Sequence, residues 1–407
     1  MTSDESPGES PSEERLLRGY SGRLLIVTSI GWMTIQGGRL VLSPMLPSII
    51  ADLQITPFLA GIGLSVMWGL YALNQYPSGR LSDRLSRKTL IVTGLLFQVV
   101  GFGLFVLATT FPLYLAASAI LGVGTGMYPT PARALVSDHF VEKRGRAFGL
   151  HTGFGDLGGL LASGLAVLAL AVATWHFAFL PIVGILAAVA LSLHRWSRES
   201  YSFQRPDAAV IGEGAREALS TLQRLGTEWR FRLILLAYSL YAFTWQSSAS
   251  FLPTFLQEAK GFSPALASAG FAAMFVVGTV VKPIAGVVGD RTRKVFVAAA
   301  SLVVGATALA LAIFAPSDLL TILGVVGFAV GLLAYPPVMQ AYLMDAFPNA
   351  SMGGDLGAIR SVYITIGAIG PTYVGYVASG ANYTLAFLTL VGALLASATL
   401  IVVSTRV

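Results

Sequence analysis

The chain has no cysteine, which excludes disulfides, thiolate metal sites and cysteine nucleophiles. Only four of its 407 residues are histidine, too few and too scattered for a metal centre, and no cofactor is expected. It carries neither a Gly-x4-Gly-Lys-Ser/Thr phosphate loop, as direct ATP drive would need, nor a nucleophile elbow; no enzymatic activity is expected. Charge is scarce as well: Asp, Glu, Lys and Arg make up 11% of the residues, against about 25% in an average soluble protein. A soluble fold this poor in charge could not cover its surface. What is abundant is apolar, at 55% hydrophobic residues and a mean hydropathy of +0.73, so most of the surface must face lipid.

A membrane helix needs roughly 20 mostly apolar residues. By that measure the sequence divides into twelve spans, at 24–47, 58–78, 89–109, 112–137, 146–171, 174–194, 232–257, 264–286, 296–315, 318–344, 354–378 and 383–404. A membrane barrel would instead show segments of about ten alternating residues. Residues 1–22 are polar and acidic and lack an apolar core after a basic start, so they are expected to be a disordered cytosolic tail, not a cleaved signal.

The net charge of +6 suggests nucleic acid until the charges are placed. With the N-terminus inside, 21 of the 26 Lys and Arg residues fall on inner segments and one, Lys260, on an outer loop. That asymmetry predicts both termini in the cytosol of a cell (inner) membrane, and no nucleic-acid partner is needed to explain it. The other four, Arg39, Arg133, Lys282 and Arg360, lie within spans.

The second half of the sequence echoes the first at an offset of 207. Thr56-Pro57 and Ser263-Pro264 open spans 2 and 8, each a hydroxyl N-cap followed by proline at the first helical position. Gly79-x3-Asp83-Arg84 repeats as Gly286-x3-Asp290-Arg291, and Tyr128-Pro129 with Asp138-x-Phe140 repeats as Tyr335-Pro336 with Asp345-x-Phe347. Two six-helix bundles, 23–194 and 232–407, are therefore expected to be joined by a cytosolic linker, 195–231, in which Leu219, Leu222 and Leu225 could form a short interfacial helix. Such bundles about a pseudo-two-fold axis can rock, exposing a central site to one side of the membrane at a time.

Residues 79–88 read Gly-Arg-Leu-Ser-Asp-Arg-Leu-Ser-Arg-Lys. This resembles the signature between the second and third helices of the major facilitator superfamily, with Ser86 where that pattern has its second glycine. The resemblance covers residues 24–404 and implies an all-α fold of twelve transmembrane helices in two pseudo-symmetric bundles, acting as a secondary active transporter with a cavity between them. Independently of the family, Gly79 and Gly286 permit close helix approach. Asp83 and Asp290 sit at helix C-termini, where a carboxylate is disfavoured unless cations surround it. Arg84, Arg87, Arg291 and Lys294 supply cations, and Asp138 and Asp345 are further partners. These residues are expected to form an inner latch, the alternative being a solvated loop with topology charges. Gly149, Gly153, Gly155, Gly158 and Gly159 on span 5, and Gly370-Pro371-x3-Gly375 on span 11, are read as close packing and a hinge.

An ionisable residue inside a membrane is costly and is a functional candidate by default. Arg39 and Asp156 both fall near the middle of their spans. Arg39 is expected to bind an anionic group or to pair with Asp156, whose carboxylate could exchange a proton with the coupling ion gradient; a static Arg39–Asp156 pair is the structural alternative. Arg133, Lys282 and Arg360 lie nearer the inner ends, open to pairing with Asp138, Asp345 or Asp355, or to substrate contact, and Lys282 could also snorkel. The repeat sets Arg39 opposite Trp245 or Gln246, so these two, with Tyr241, are expected to line the facing wall. Gln36 is one turn from Arg39, and Asn74 and Gln75 add polarity on span 2. Trp32, Trp68 and His151 read as packing residues. Buried cations outnumber the buried carboxylate, which favours a small organic or inorganic anion as substrate of a monomeric alternating-access transporter in the lipid bilayer, coupled to H+ or to exchange. The alternatives are a proton-coupled exporter of amphipathic drugs and, in another class, a membrane sensor without transport, for which neither tail nor linker offers a signalling domain.

Overall fold

The computed structural model describes residues 15–82, 85–202, 220, 223–224, 226–347 and 352–405, and no strand occurs among them. Span 1 runs as Gly19–Leu40 and Leu42–Asp52, bent by 41°. Pro57–Ser82 is span 2 and Arg87–Val106 span 3; Phe111–Gly126 continues into Pro129–His139 as span 4; Arg144–Val172 is span 5 and Phe179–Trp196, after a 3-10 turn, span 6. The second half follows with Trp229–Glu258, Pro264–Arg291, Lys294–Phe314 and Asp318–Ala346 as spans 7 to 10, Met352–Gly367 and Gly370–Gly380 together as span 11, and Tyr383–Val403 as span 12.

Among the described residues, nine helices are long and apolar enough to cross a membrane, or ten if the bent pair of span 1 is one crossing. Spans 7 and 11 are not among them, for different reasons. Span 7 carries Thr244, Gln246, Ser247, Ser248 and Ser250, all buried, so its polar face meets protein instead of lipid. Span 11 is broken near 368–369 into two short pieces. Several helices overrun the expected bounds. The 29 residues of span 5 are about 43 Å long at 1.5 Å per residue, more than the roughly 30 Å hydrocarbon core, so they tilt or project from it.

The repeat is written into the contacts. Thr56 Oγ1 accepts from the Leu59 N–H at 3.3 Å and Ser263 Oγ from the Leu266 N–H at 3.2 Å, so both second helices of the halves start on the expected caps. Tyr128 and Tyr335 are both fully buried. The Ser43 hydroxyl donates to the Ser250 carbonyl at 3.0 Å. Those two positions are 207 apart, so a residue of one half meets its own counterpart in the other, as it must near a two-fold axis.

With an even number of crossings, Gly19, Trp196, Trp229 and Val403 share one side, here the terminal face. Of the expected tail 1–22, residues 1–14 lie outside the described residues, while Gly19 onward is already helical; Asp83, Arg84, and Leu219, Leu222 and Leu225 also lie outside the described residues.

Candidate functional site

The halves meet toward the far face. Besides Ser43–Ser250, the Thr372 N–H and hydroxyl donate to Ser65 Oγ at 2.9 and 2.7 Å, and the Phe58 N–H donates to Ser379 Oγ at 3.1 Å. A Cβ on Gly61 or Gly375 would collide with the backbone of Pro371 or Pro57. Toward the terminal face the pattern reverses: Gly149 and Gly153 of span 5, Gly286 of span 8 and Gly357 of span 11 have nothing near them. Gly286 thus does not mark the close helix approach expected of it, whereas Gly79 lies against Thr130.

Between the halves lies a cavity of about 290 Å³. The eight residues expected to bind substrate, Gln36, Arg39, Asp156, Tyr241, Trp245, Gln246, Lys282 and Arg360, all line it. So do Trp32 and Trp68, expected as packing residues, and Tyr71, Tyr238, Phe275 and Tyr363, for which the sequence carries no expectation. Tyr71 follows Trp68 by three residues and so shares its helix face, but nothing in the spacing tells whether that face meets core, lipid or cavity. Asn74 lacks a place in the wall: its amide donates to the Leu70 carbonyl at 2.9 Å and its Cβ abuts Gly126 of span 4.

Arg39 is 4% exposed. Its guanidinium stacks on Trp68 at 4.3 Å and Tyr71 at 4.7 Å from the ring centroids, contacts worth about 2 kcal/mol when desolvated. Its Nε and Nη1 have no hydrogen-bond partner among the described residues. Tyr71 is within reach of both Arg39 and Arg360, and Arg133 lies close enough to Arg360 and Tyr71 to interact electrostatically. The 207 register makes Gln246 the counterpart of Arg39. Its Nε2 donates to the Ile364 carbonyl at 3.0 Å, while Oε1 is buried without a partner. Leaving buried donors and acceptors unmade costs about 1–3 kcal/mol each, a cost a bound polar ligand relieves.

The expected Arg39–Asp156 pair is not formed. Asp156 Oδ1 instead lies 2.7 Å from Lys282 Nζ, a pair that joins span 5 to span 8. Helix geometry gives the reason. Gly155 and Gly158 press against Trp32 and Met33 of span 1; one residue on from Gly155 is a rotation of about 100°, which carries Asp156 away from span 1. Gly159, three residues beyond Asp156, meets Phe275 of span 8, so that face belongs to span 8. Lys282 therefore neither snorkels nor reaches Asp138, Asp345 or Asp355, and Asp355 pairs with Arg224.

The residues expected to form a latch are arranged within each half. Arg87 pairs with Asp138, and 207 positions later Lys294 pairs with Asp345. Each pair ties the start of one helix to the end of the next inside one bundle, so in this conformation they do not clasp the halves together. Asp290 and Arg291 are exposed at the terminal face. Ser86, in place of the signature glycine, accepts from the Thr89 N–H at 3.2 Å and so caps span 3. His151 is buried, with Nδ1 3.4 Å from Ser29 Oγ and its ring stacked on Trp32.

Two bundles related by a repeat, meeting at one face around a central aromatic cavity that holds a few charged side chains, match the architecture that the 79–88 signature implied. The family profile of the Major Facilitator Superfamily matches residues 25–281 and 234–406. The chain belongs to the Major Facilitator Superfamily. Among its superfamily relatives, the "probable sulfoacetate transporter" of Cupriavidus necator is 28% identical over 280 residues, 63% of this chain and 62% of that protein. The chain thus matches somewhat under two thirds of that relative's length. The cis,cis-muconate transport protein of Acinetobacter baylyi is 24% identical over 357 residues, 86% of this chain and 85% of that one. In fold, the chain is similar to the crystal structure of a bacterial homologue of the human lysosomal transporter Spinster in an inward-facing, occupied conformation. That superposition has a TM-score of 0.81 at 16% identity and covers 96% of this chain and 97% of the other. The protein is a multi-pass membrane protein of a transporter superfamily.

Proposed function

We propose that this protein is a secondary active transporter that carries a small organic anion through the central cavity by alternating access. The carrying observation is Arg39, a buried guanidinium whose Nε and Nη1 lack partners in a cavity with Lys282 and Arg360 and a single carboxylate, Asp156. A guanidinium presents a planar fork that fits carboxylate or sulfonate oxygens, and its aromatic stack holds that fork in place. The relatives' named substrates, sulfoacetate and cis,cis-muconate, are small organic anions, which supports the same reading.

Arg39, with Gln36 beside it, and Arg360 and Gln246 from the other half form the anion-binding wall, and Tyr241 and Trp245 cover the substrate's apolar part. Asp156 is the proton-coupling carboxylate: protonation releases Lys282 and loosens the tie between spans 5 and 8. The positive-inside asymmetry supports a cytosolic terminal face in the inner membrane, and on that reading the loosely packed side of the cavity is the inward one. Gly79, Asp83, Arg84, Arg87, Asp138, Gly286, Asp290, Arg291 and Asp345 form the inner gate. Arg87–Asp138 and Lys294–Asp345 stiffen each bundle's inner rim, and the gate closes when the rims meet. The transporter works as a monomer.

The test is uptake by the purified chain in liposomes, with an imposed pH gradient, of a panel of small carboxylates and sulfonates beside lipophilic cations. Saturable uptake of anions, lost in Arg39→Gln, is expected. Transport of cations alone would replace this reading with the drug-exporter one.

A further inference from the structure

The cavity carries two cationic poles of different construction. Arg39 lies against Trp68 and Tyr71 of span 2, and Arg360 reaches the same Tyr71 from span 11. Arg39 Nε and Nη1 and Arg360 Nε have no partner among the described residues. Lys282 belongs to another interface, between spans 5 and 8, and its ammonium donates to Asp156. A lysine ammonium has three donors, so this bond leaves capacity for a ligand.

The charges do not balance. The lining holds three cations and one carboxylate, a surplus of two positive charges in a place where an uncompensated charge is costly. A monoanion would leave one of them unmatched. A dianion would match the surplus of the lining itself, with Arg133 behind Arg360 adding to the attraction, provided its two charges were far enough apart to meet both poles. At about 290 Å³ the cavity sits at the lower end of ligand pockets, which suits a chain of a few carbons. Trp245 and Tyr241 offer that chain an apolar flank.

Resting on the anion reading above, we propose that the site selects two-headed anions, short chains bearing a carboxylate or sulfonate at each end. One head lies on Arg39 and Arg360, and the other on Lys282 in competition with Asp156. Asp156 thus acts as a placeholder for the second head in the empty cavity.

The experiment is titration of the purified full-length chain in detergent with succinate and with butyrate, which have the same carbon chain and differ in one head. Tryptophan fluorescence is the readout, since Trp32, Trp68 and Trp245 line the cavity. Succinate is expected to saturate at a concentration at least about tenfold lower than butyrate, the effect of one added charged contact. Asp156→Asn, which frees Lys282, should widen the preference; the double variant Lys282→Gln/Asp156→Asn, which leaves no unpaired carboxylate to disturb folding, should reduce it to within about threefold. Equal binding of both anions by the parent, or a preference unchanged in the double variant, overturns the two-headed proposal and leaves the anion reading standing. Binding of neither anion by the parent also overturns the two-headed proposal, and the uptake panel above then decides the anion reading separately.

Discussion

Lys282 Nζ lies 2.7 Å from Asp156 Oδ1 and joins the two halves of the molecule through spans 5 and 8. The side chains are 35% and 26% exposed, so the pair is partly screened and its static contribution to stability is small. Its value is in its position. It is the described ion pair that crosses between the bundles at the cavity, and either a proton on Asp156 or an anion on Lys282 breaks it.

Removing the proton acceptor should separate transport from its driving force. Asp156→Asn is expected to keep substrate exchange between the two sides of a liposome while net uptake loses its response to an imposed pH gradient. Parallel exchange and net-uptake assays decide this; a retained pH response would place the coupling site elsewhere.

Arg39 tests the anion wall. Arg39→Lys keeps the charge but loses the planar fork and the stacked fit over Trp68 and Tyr71, and roughly a 10- to 100-fold loss of apparent affinity is expected. Monodispersity by size exclusion should not change, because the charge is kept and Nε and Nη1 have no hydrogen-bond partner to lose among the described residues. Loss of yield with unchanged affinity would instead mark Arg39 as structural.

The cysteine-free chain makes the far-face contact directly testable. Cysteines placed at positions 43 and 250, where the Ser43 hydroxyl meets the Ser250 carbonyl at 3.0 Å, should cross-link with a short bifunctional thiol reagent. If the far face must open in each cycle, the cross-linked protein stops transporting, while either single cysteine treated alike does not. Full activity after complete cross-linking would count against alternating access through that face.

The glycines of span 5 differ in role although they crowd one helix. A side chain at Gly158 would run into the Met33 carbonyl of span 1, whereas Gly149 has nothing near it. Gly158→Leu should abolish folded protein, by overpacking a helix contact, and Gly149→Leu should express and fold normally. Melting temperature and expression yield distinguish the two.

Lys260, the one Lys or Arg at the far face among the described residues, caps span 9. Its ammonium donates to the carbonyls of Ile313 at 2.6 Å and Ala315 at 3.1 Å, groups left open at a helix end, and burial pushes its pKa below the usual lysine value. Lys260→Met should lower stability by about 1 kcal/mol, read as a fall in melting temperature with transport kinetics unchanged.

Much of the fold was legible because its signals are local or periodic. Apolar run length located the spans, and proline with its hydroxyl cap located the starts of spans 2 and 8. The 207 offset related the halves closely enough to set Trp245 or Gln246 opposite Arg39, and both line the same cavity as Arg39. Partner choice was not legible. Arg39 and Asp156 were expected to meet because both are ionisable and central in their spans, yet depth along a helix says nothing about the direction in which a side chain leaves it. The aromatic wall was missed for a related reason: in an apolar sequence, Trp68, Tyr71, Tyr238 and Tyr363 look the same whether they face lipid, core or cavity.

By itself the sequence determined that this chain lives in a bilayer, since charge at 11% cannot clothe a soluble fold of this size, and that it is built twice over, since a repeat survives in the order of residues. It also nominated the few charges worth explaining. Only the tertiary structure decided how they combine: that Asp156 belongs to Lys282, that Arg87–Asp138 and Lys294–Asp345 are braces within each half, and that Arg39 is left with open donors beside a cavity. Those outcomes depend on the rotation of each helix about its axis and on the state of the interface between the bundles. Both are set by packing among residues from tens to more than a hundred positions apart, which no local pattern encodes.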